Sequence, residues 1–296
     1  MRGMAKRICV IGMMAAIIGS LTGCSSIISK ATGHLADHLT TAIMKENDPA
    51  LVRDGAPTLM LLMDGIIEGN PHDAKALASA AQMYSSYTSA FVAGEDAERA
   101  KILADKAKSY AFRALSLSNK EFAKRHFLPY AEFEPVLATF KKEDVPALML
   151  TVSVWATWIQ AHSDDWNAIA DMAKVQAMTK KLLELDDDFF YGSPHLYMAV
   201  LLTILPPAIG GHPKEGQYQF EESIKAAKGR FLPTYVLYAK QIAMPSMDRD
   251  LFNKLMKHID DTPADIVPEL TLVNTLAKKD AQKLKEQANT YFDPTE

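Results

Sequence analysis

Aromatic residues with polar tips recur at helical spacing in this 296-residue chain. Trp155, Trp158 and His162 lie at i, i+3 and i+7, which places them on one helix face. A second stripe has the same spacing: Tyr84, Tyr87 and Phe91. Such stripes commonly form core, but on the concave side of a helical array they line pockets for organic ligands. We predict a ligand-binding pocket lined by Tyr84, Tyr87, Trp155, Trp158 and Tyr197, with core packing as the alternative.

Two groups of polar residues resemble metal ligands but have simpler explanations. His34 and His38 are four residues apart and would share a helix face, yet two ligands do not complete a tetrahedral zinc site. Asp186, Asp187 and Asp188 follow one another, and solvated acids are the default interpretation of such a run. We therefore predict no metal site, and no cofactor apart from a covalent lipid.

Asp64 lies next to the apolar run at residues 59–63, where a buried carboxylate would need a partner. Arg53 is the nearest basic residue in the sequence, so we expect a structural ion pair; a ligand-facing carboxylate is the alternative. No positioned acid–base pair, nucleophile or phosphate loop stands out. The pattern favours a binding protein over an enzyme, and an all-α hydrolase with paired carboxylates is the least favoured function.

The first 23 residues have the pattern of a bacterial lipoprotein signal peptide. A basic start is followed by the apolar residues 8–21, too few for a membrane-spanning helix of about 20 residues. The segment ends in Leu21-Thr22-Gly23-Cys24, in which two small residues precede the cysteine. We predict that Cys24 is cleaved free and acylated, for example with palmitate, and that residues 24–32 form a tether.

Processing at Cys24 has consequences for charge and location. Removal of three of the 32 basic residues leaves 29 against 36 acidic residues, a formal charge of −7. That charge argues against nucleic acid and anionic headgroups as partners, so the membrane is contacted through the lipid only. Ser25 after the cysteine indicates an outer-membrane lipoprotein facing the periplasm of the bacterial cell envelope, with inner-membrane anchoring still open. Cys9 leaves with the signal, so no disulfide is expected.

Residues 33–296 are predicted to form a single all-α domain, an α-solenoid of tetratricopeptide-like antiparallel helix pairs. Glycine is scarce, long β-type alternation is absent, and no linker interrupts the chain. Expected helices cover residues 34–45, 74–92, 97–117, 147–162, 166–185, 248–260 and 266–290, with a short helix from Pro49 that Gly55-Ala56-Pro57 ends and an irregular insertion at 119–146.

The stretch 191–239 organises this array. Pro194 belongs in the first turn of a helix that Pro206-Pro207 end, and Pro213 begins the next helix. Gly229 ends that second helix, and a third follows at once. Helices joined by tight reversals are the unit of an α-solenoid.

Several segments together resemble a known family: DPALVRDGAPTLMLLMDGIIEG (48–69), AQMYSSYTSAFV (81–92), WATWIQAH (155–162), LDDDFFYG (185–192), GGHP (210–213) and FLPTYVLYA (231–239). With the lipobox, they are similar to the TatT family, the lipoprotein T-component associated with some tripartite ATP-independent periplasmic (TRAP) transporters. The chain departs from that pattern at Lys214 and in the more apolar residues 198–205.

The resemblance implies an all-α solenoid with a concave pocket or pore. It implies binding of a small, largely apolar organic acid and cooperation with the periplasmic substrate-binding protein of a TRAP system. The alternative is a tetratricopeptide adaptor that holds a protein partner during envelope assembly. A homo-oligomer is compatible with both functions.

Replacement of Cys24 tests the lipid anchor. Cys24→Ser removes the thiol that accepts the lipid, so the variant should stay unprocessed or soluble and should leave the detergent phase. Phase partitioning and metabolic labelling with palmitate measure this. Palmitate label on the variant would refute the assignment.

Overall fold

The structure is a computed structural model that describes residues 38–205 and 207–292. From Pro49 to Phe292 these residues contain thirteen α-helices, residues 38–44 are also helical, and the described residues contain no β-strand, which confirms the all-α prediction. No helix among them is both long and apolar enough to cross a bilayer. Cys24, the signal peptide, the tether and His34 lie outside the described residues.

The α-helices, in chain order, are α1 (Pro49–Gly69), α2 (Ala74–Phe91), α3 (Ala97–Ser118), α4 (Lys120–Arg125), α5 (Tyr130–Phe133), α6 (Val145–Ala161), α7 (Trp166–Ala170), α8 (Met172–Leu185), α9 (Phe189–Thr203), α10 (Pro213–Ala226), α11 (Leu232–Tyr238), α12 (Arg249–Asp261) and α13 (Thr271–Phe292). Four 3₁₀ segments, Glu134–Thr139, Lys142–Asp144, Pro207–Ile209 and Pro268–Leu270, and a π-helical turn, Ala239–Ala243, connect them. Residues 44–296 form one compact unit.

Aspartate side chains begin many of these helices. Each accepts a hydrogen bond from a backbone N–H in the first turn, which satisfies a donor that the helix itself cannot pair. The caps with this bond are Asp48, Asp73, Asp96, Asp165 and Asp248. The predicted cap at Asp248 is confirmed, because its Oδ1 accepts from Leu251 N at 2.9 Å.

Three predicted helix boundaries are wrong. The last helix begins at Thr271, not at residue 266, because a 3₁₀ segment precedes it. Helix α1 continues through Pro57, where a break was expected. Proline removes one backbone hydrogen bond, but Arg53, whose carbonyl would have accepted it, is exposed, so water can satisfy that oxygen. The single helix expected over residues 166–185 is two helices, α7 and α8, which meet at Asp171.

Consecutive helices pack against one another, in agreement with a solenoid-like array. Helix α3 packs on α2 and on α6, α6 packs on α8, and α9 packs on α10. The insertion between α3 and α6 is part of the core rather than a surface appendage. Its side chains Phe122, Phe133 and Val136 have no exposed surface.

The buried side chains form two clusters along the array. One cluster joins helices α1 to α8 and contains the fully buried Trp155. The other joins α9 to α13 around residues such as Phe220 and Leu232. The last helix, α13, returns to contact α1, and Lys45 forms an ion pair with Glu269 at 3.3 Å.

The predicted organising stretch has the expected order of helices, with an unusual entry. Phe190, Tyr191 and Gly192 all have positive φ, and the regular part of α9 begins after them with Pro194 in its first turn. A Cβ on Gly192 would lie 2.6 Å from Ala226 Cβ, and one on Gly216 would lie 2.3 Å from Thr203 Cγ2. Helices α9 and α10 therefore pack closely because these two positions are glycine.

Two phenylalanines of the insertion give a matched stability test. Phe122 is fully buried and Phe127 is 67% exposed. Phe122→Ala should lower the free energy of unfolding by about 3–5 kcal/mol, because it leaves a core cavity. Phe127→Ala should change it by less than about 0.5 kcal/mol. Urea unfolding followed by circular dichroism measures both, and equal losses would show that the insertion does not pack as described.

Candidate functional site

The structure divides the predicted pocket residues into two groups. Tyr84, Tyr87 and Trp155 are buried in the core cluster, with 3%, 7% and 0% exposure, and line neither of the two cavities described below. Trp158 and Tyr197 are partly buried and pack against the edge of the same core cluster. Burial raises the pKa of the Tyr197 hydroxyl, and Ser153 acts in the opposite direction.

Tyr84 belongs to a polar cluster around Asp64. The Asp64 carboxylate accepts from the hydroxyls of Tyr84 at 2.7 Å and Tyr110 at 2.8 Å, and from the ammonium of Lys106. The expected ion pair is present, but its partner is Lys106; Arg53 pairs with its exposed neighbour Asp54 instead.

Burial and hydrogen bonding act in opposite directions on Asp64. Burial raises the pKa of its carboxyl, but the three donors overcome this effect and hold the pKa below its usual value. Burial and Asp64 together raise the pKa of Tyr110 to about 12. The carboxylate therefore uses both oxygens inside the protein, and the cluster is structural rather than ligand-facing.

Trp158 lies on the wall of a cavity of about 430 Å³. We call it the Trp158 cavity. One face of α3 supplies residues at i, i+3, i+4 and i+7, while α6, α8 and the end of the α4 segment supply the rest. Its lining residues are Asp105, Lys108, Ser109, Phe112, His126, Phe127, Trp158, Asp171 and Lys174.

The Asp171 carboxylate connects three helices at the base of this cavity. It accepts the indole N–H of Trp155 from α6 at 3.1 Å and the Lys174 ammonium from α8 at 2.9 Å. Lys108 of α3 lies 3.7 Å from Asp171 Oδ2. Lys174 also donates to the carbonyl of His126 at 3.1 Å, so this buried lysine is fully engaged.

Lys108 is held differently from Lys174. Its Nζ lies 3.1 Å from the centre of the Trp158 ring, a cation–π contact, and its distance to Asp171 exceeds that of a hydrogen bond. Burial lowers the pKa of Lys108 to about 8, although Asp171 and Asp105 raise it. Among the described residues, no acceptor lies within hydrogen-bond distance of this ammonium.

Aromatic rings form most of the remaining wall. His126 stacks on Phe122, with ring centres 5.3 Å apart, and meets Phe112 and Phe127 edge to face. Burial lowers the pKa of His126, as do Lys108 and Lys174, so its ring is neutral at about pH 7. The aromatic part of the wall near Lys108 is therefore uncharged, while Asp105, Asp171 and Lys174 supply the charges of the cavity.

The outer rim of the cavity is held by Asp105. Its Oδ1 accepts the indole N–H of Trp158 at 2.6 Å and lies 3.4 Å from Nε2 of His162. The His162 ring stacks on Trp158, with centres 4.7 Å apart. These contacts hold the half-buried Trp158 ring in place.

A second, larger groove of about 970 Å³ lies along one face of α8 and is about as open to solvent as the Trp158 cavity. Ala173 and Ala177 form part of its floor, and Lys180, Lys181 and Lys214 lie on its walls with Glu134, Glu184 and Glu215. Met198 and Leu202 of the organising stretch also line it. We call it the α8 groove.

Sequence reasoning identified Trp158 but missed its partners. Lys108 and Asp105 lie on a helix that was predicted, but spacing alone did not reveal which face of α3 meets α6. His126 and Phe127 belong to the insertion, which was expected to be irregular. The i, i+3, i+7 spacing of Asp105, Lys108 and Phe112 is the signal that indicates a shared face.

The described residues form a helical array with a cavity beside Trp158. A family model described as the TRAP transporter T-component (TAtT) matches residues 45–292, and the chain belongs to this family. The protein is therefore a component associated with a TRAP transporter, and its family is not a family of enzymes. No curated protein matches the chain. Among the described residues, no group of three or more His, Cys, Asp or Glu could hold a metal ion.

The Asp64 cluster predicts a pH-dependent contribution to stability. The depressed pKa means that the ionised carboxylate stabilises the fold above about pH 4, and that this contribution is lost as the pH falls through the folded-state pKa. Asp64→Asn should lower the free energy of unfolding by about 2 kcal/mol at neutral pH. The difference between the free energies of unfolding of the wild type and of Asp64→Asn should become smaller as the pH falls.

Urea unfolding across the acid range measures this difference. Asp54→Asn is the matched control, because Asp54 forms an exposed pair with Arg53 and should contribute less than about 1 kcal/mol. If the loss of unfolding free energy in Asp64→Asn does not change with pH, the ionised Asp64 carboxylate does not stabilise the fold as described.

Proposed function

We propose that this protein is a lipid-anchored periplasmic component of a TRAP system that binds a small, largely apolar organic acid in the Trp158 cavity. The observation that supports this is the Lys108 ammonium, which faces aromatic rings and lacks a hydrogen-bond acceptor among the described residues. A carboxylate is the group that best satisfies such a cation.

The shape and composition of the cavity support the same ligand. Its volume, about 430 Å³, is within the range of small-molecule sites. Phe112, Phe127 and Trp158 offer apolar surface for the body of an acid. Binding would place the charged end on Lys108 and the body against these rings.

The protein would act with the periplasmic substrate-binding protein of the transporter. The lipid on Cys24 would hold it at the outer membrane, facing the periplasm, and would be its sole contact with the membrane. The formal charge of −7 after processing supports this arrangement, since it disfavours direct contact with anionic lipid. No enzymatic activity is proposed.

Trp158→Ala tests the ligand site, and Trp166→Ala is its matched control. Trp166 is 82% exposed and does not line the cavity, so its loss should change neither stability nor binding. Trp158→Ala should melt close to the wild type but bind organic acids about tenfold more weakly, because a wall and the cation–π contact are lost. Calorimetric titration with acids extracted from the purified protein measures the affinity.

The α8 groove supports a second candidate function, that of an adaptor for a protein partner. Its larger volume and its course along one helix face suit a peptide or helix better than a small acid. Ala177→Arg would fill the floor of the groove and should abolish co-purification of such a partner. If acids bind equally to the wild type and Trp158→Ala, while Ala177→Arg loses the partner, the adaptor function is correct.

A further inference from the structure

The charged side chains that line the Trp158 cavity differ in how free they are to contact a ligand. Two lysines and two aspartates line it, so the wall is neutral as a whole. Lys174 has a side chain only 7% exposed and donates to both Asp171 and the His126 carbonyl. Lys108 has a side chain 19% exposed and forms no hydrogen bond with the described residues. One cation, Lys108, is therefore available to a ligand.

The two carboxylates of the wall disfavour a second negative charge. Asp171 Oδ2 lies 3.7 Å from Lys108 Nζ, and Asp105 lies on the same face of α3, one turn before Lys108. Any ligand carboxylate on Lys108 is close to both. A second carboxylate on the same ligand would meet these acids with no free cation, and like charges brought together in this way oppose binding.

The aromatic rings near Lys108 determine which apolar group of a ligand fits the cavity. Lys108 Nζ lies 3.1, 5.3 and 5.6 Å from the ring centres of Trp158, Phe112 and Trp155. His126 lines the same cavity. His126 is neutral and packed between rings, so it adds surface rather than charge. A flat or ring-sized apolar body fits such a wall.

We propose that the Trp158 cavity selects monocarboxylates with a ring-sized apolar body, with the carboxylate on Lys108, and rejects dicarboxylates and neutral analogues. This inference rests on the proposed function, because it names the class of acid bound at the same cavity. Lys108 supplies the affinity for one carboxylate, and Asp105 and Asp171 supply the rejection of a second.

The protonation of Lys108 gives an independent readout. The groups that face it are Asp105 on α3, Trp158 on α6, Asp171 between α7 and α8, Lys174 on α8 and His126 after α4. Because burial lowers the pKa of Lys108 to about 8, part of its population is neutral in mild alkali. A bound carboxylate favours the charged form, so binding in that range takes up protons.

The experiment compares three matched probes on the full chain by calorimetric titration: 3-phenylpropanoate, its neutral amide 3-phenylpropanamide, and the dicarboxylate phenylsuccinate. The monocarboxylate should bind at least about tenfold more tightly than the amide, the loss expected for one charged hydrogen bond. Phenylsuccinate should bind at least about tenfold more weakly than the monocarboxylate. Titration at about pH 8.5 in buffers of different ionisation enthalpy should show proton uptake by the wild type.

Two variants locate the effect. Lys108→Met should lower the affinity for 3-phenylpropanoate to that for the amide and should abolish proton uptake. Lys180 is an exposed lysine of the α8 groove, so Lys180→Met should bind both probes as the wild type does. Asp105→Asn should bring phenylsuccinate closer to the monocarboxylate, because one repelling charge is removed. If Lys108→Met does not fold, the three probes on the wild type and on Asp105→Asn decide.

The outcomes separate this inference from the proposed function. Equal affinity for the monocarboxylate and phenylsuccinate, with loss of both in Trp158→Ala, would overturn the charge selection and leave acid binding in place. Equal affinity of the acid and the amide would overturn the role of Lys108. Failure of every acid, including those extracted from the protein, to bind the wild type would overturn both.

Discussion

The carboxylate of Asp171 joins three helices that are distant in sequence, and the site depends on it. By accepting the indole N–H of Trp155, it fixes α6 against the junction of α7 and α8. It also engages Lys174, which would otherwise be an unpaired buried cation. Lys108 then remains within ion-pair distance but without a hydrogen bond. Asp171, at the junction of α7 and α8, thus forms a hydrogen bond with Lys174 and leaves Lys108 without one.

The sequence predicted most of the fold, because helix boundaries here follow local chemistry. Aspartate caps and prolines mark the beginnings of α1, α6, α10 and α12, and those positions were predictable within a few residues. The failures were at residues where tertiary structure overrides local preference. Pro57 is tolerated in α1 because its turn is exposed, and α7 ends at Asp171, whose carboxylate accepts from Trp155 of α6. Neither fact can be read from periodicity.

The site was less predictable, for a geometric reason. Spacing places Trp155 and Trp158 on one helix, but the step of three residues from one to the other also turns the two rings toward different surroundings. Trp155 is fully buried, whereas Trp158 meets a cavity, and this difference depends on where α3 lies. The partner of Asp64 shows the same limit. Nearness in sequence suggested Arg53, but Lys106 is brought close by the packing of α3, 42 residues away.

The return of α13 to α1 has a consequence for how the array comes apart. A linear stack of helical repeats has two free ends, and its stability is lost from them piece by piece. Here the last helix contacts the first, and Lys45 is paired with Glu269 across the same junction. Fraying at either end must therefore break contacts with the other, so the two termini share one local stability. We therefore expect the first and last helices of this unit to lose their structure together rather than one after the other.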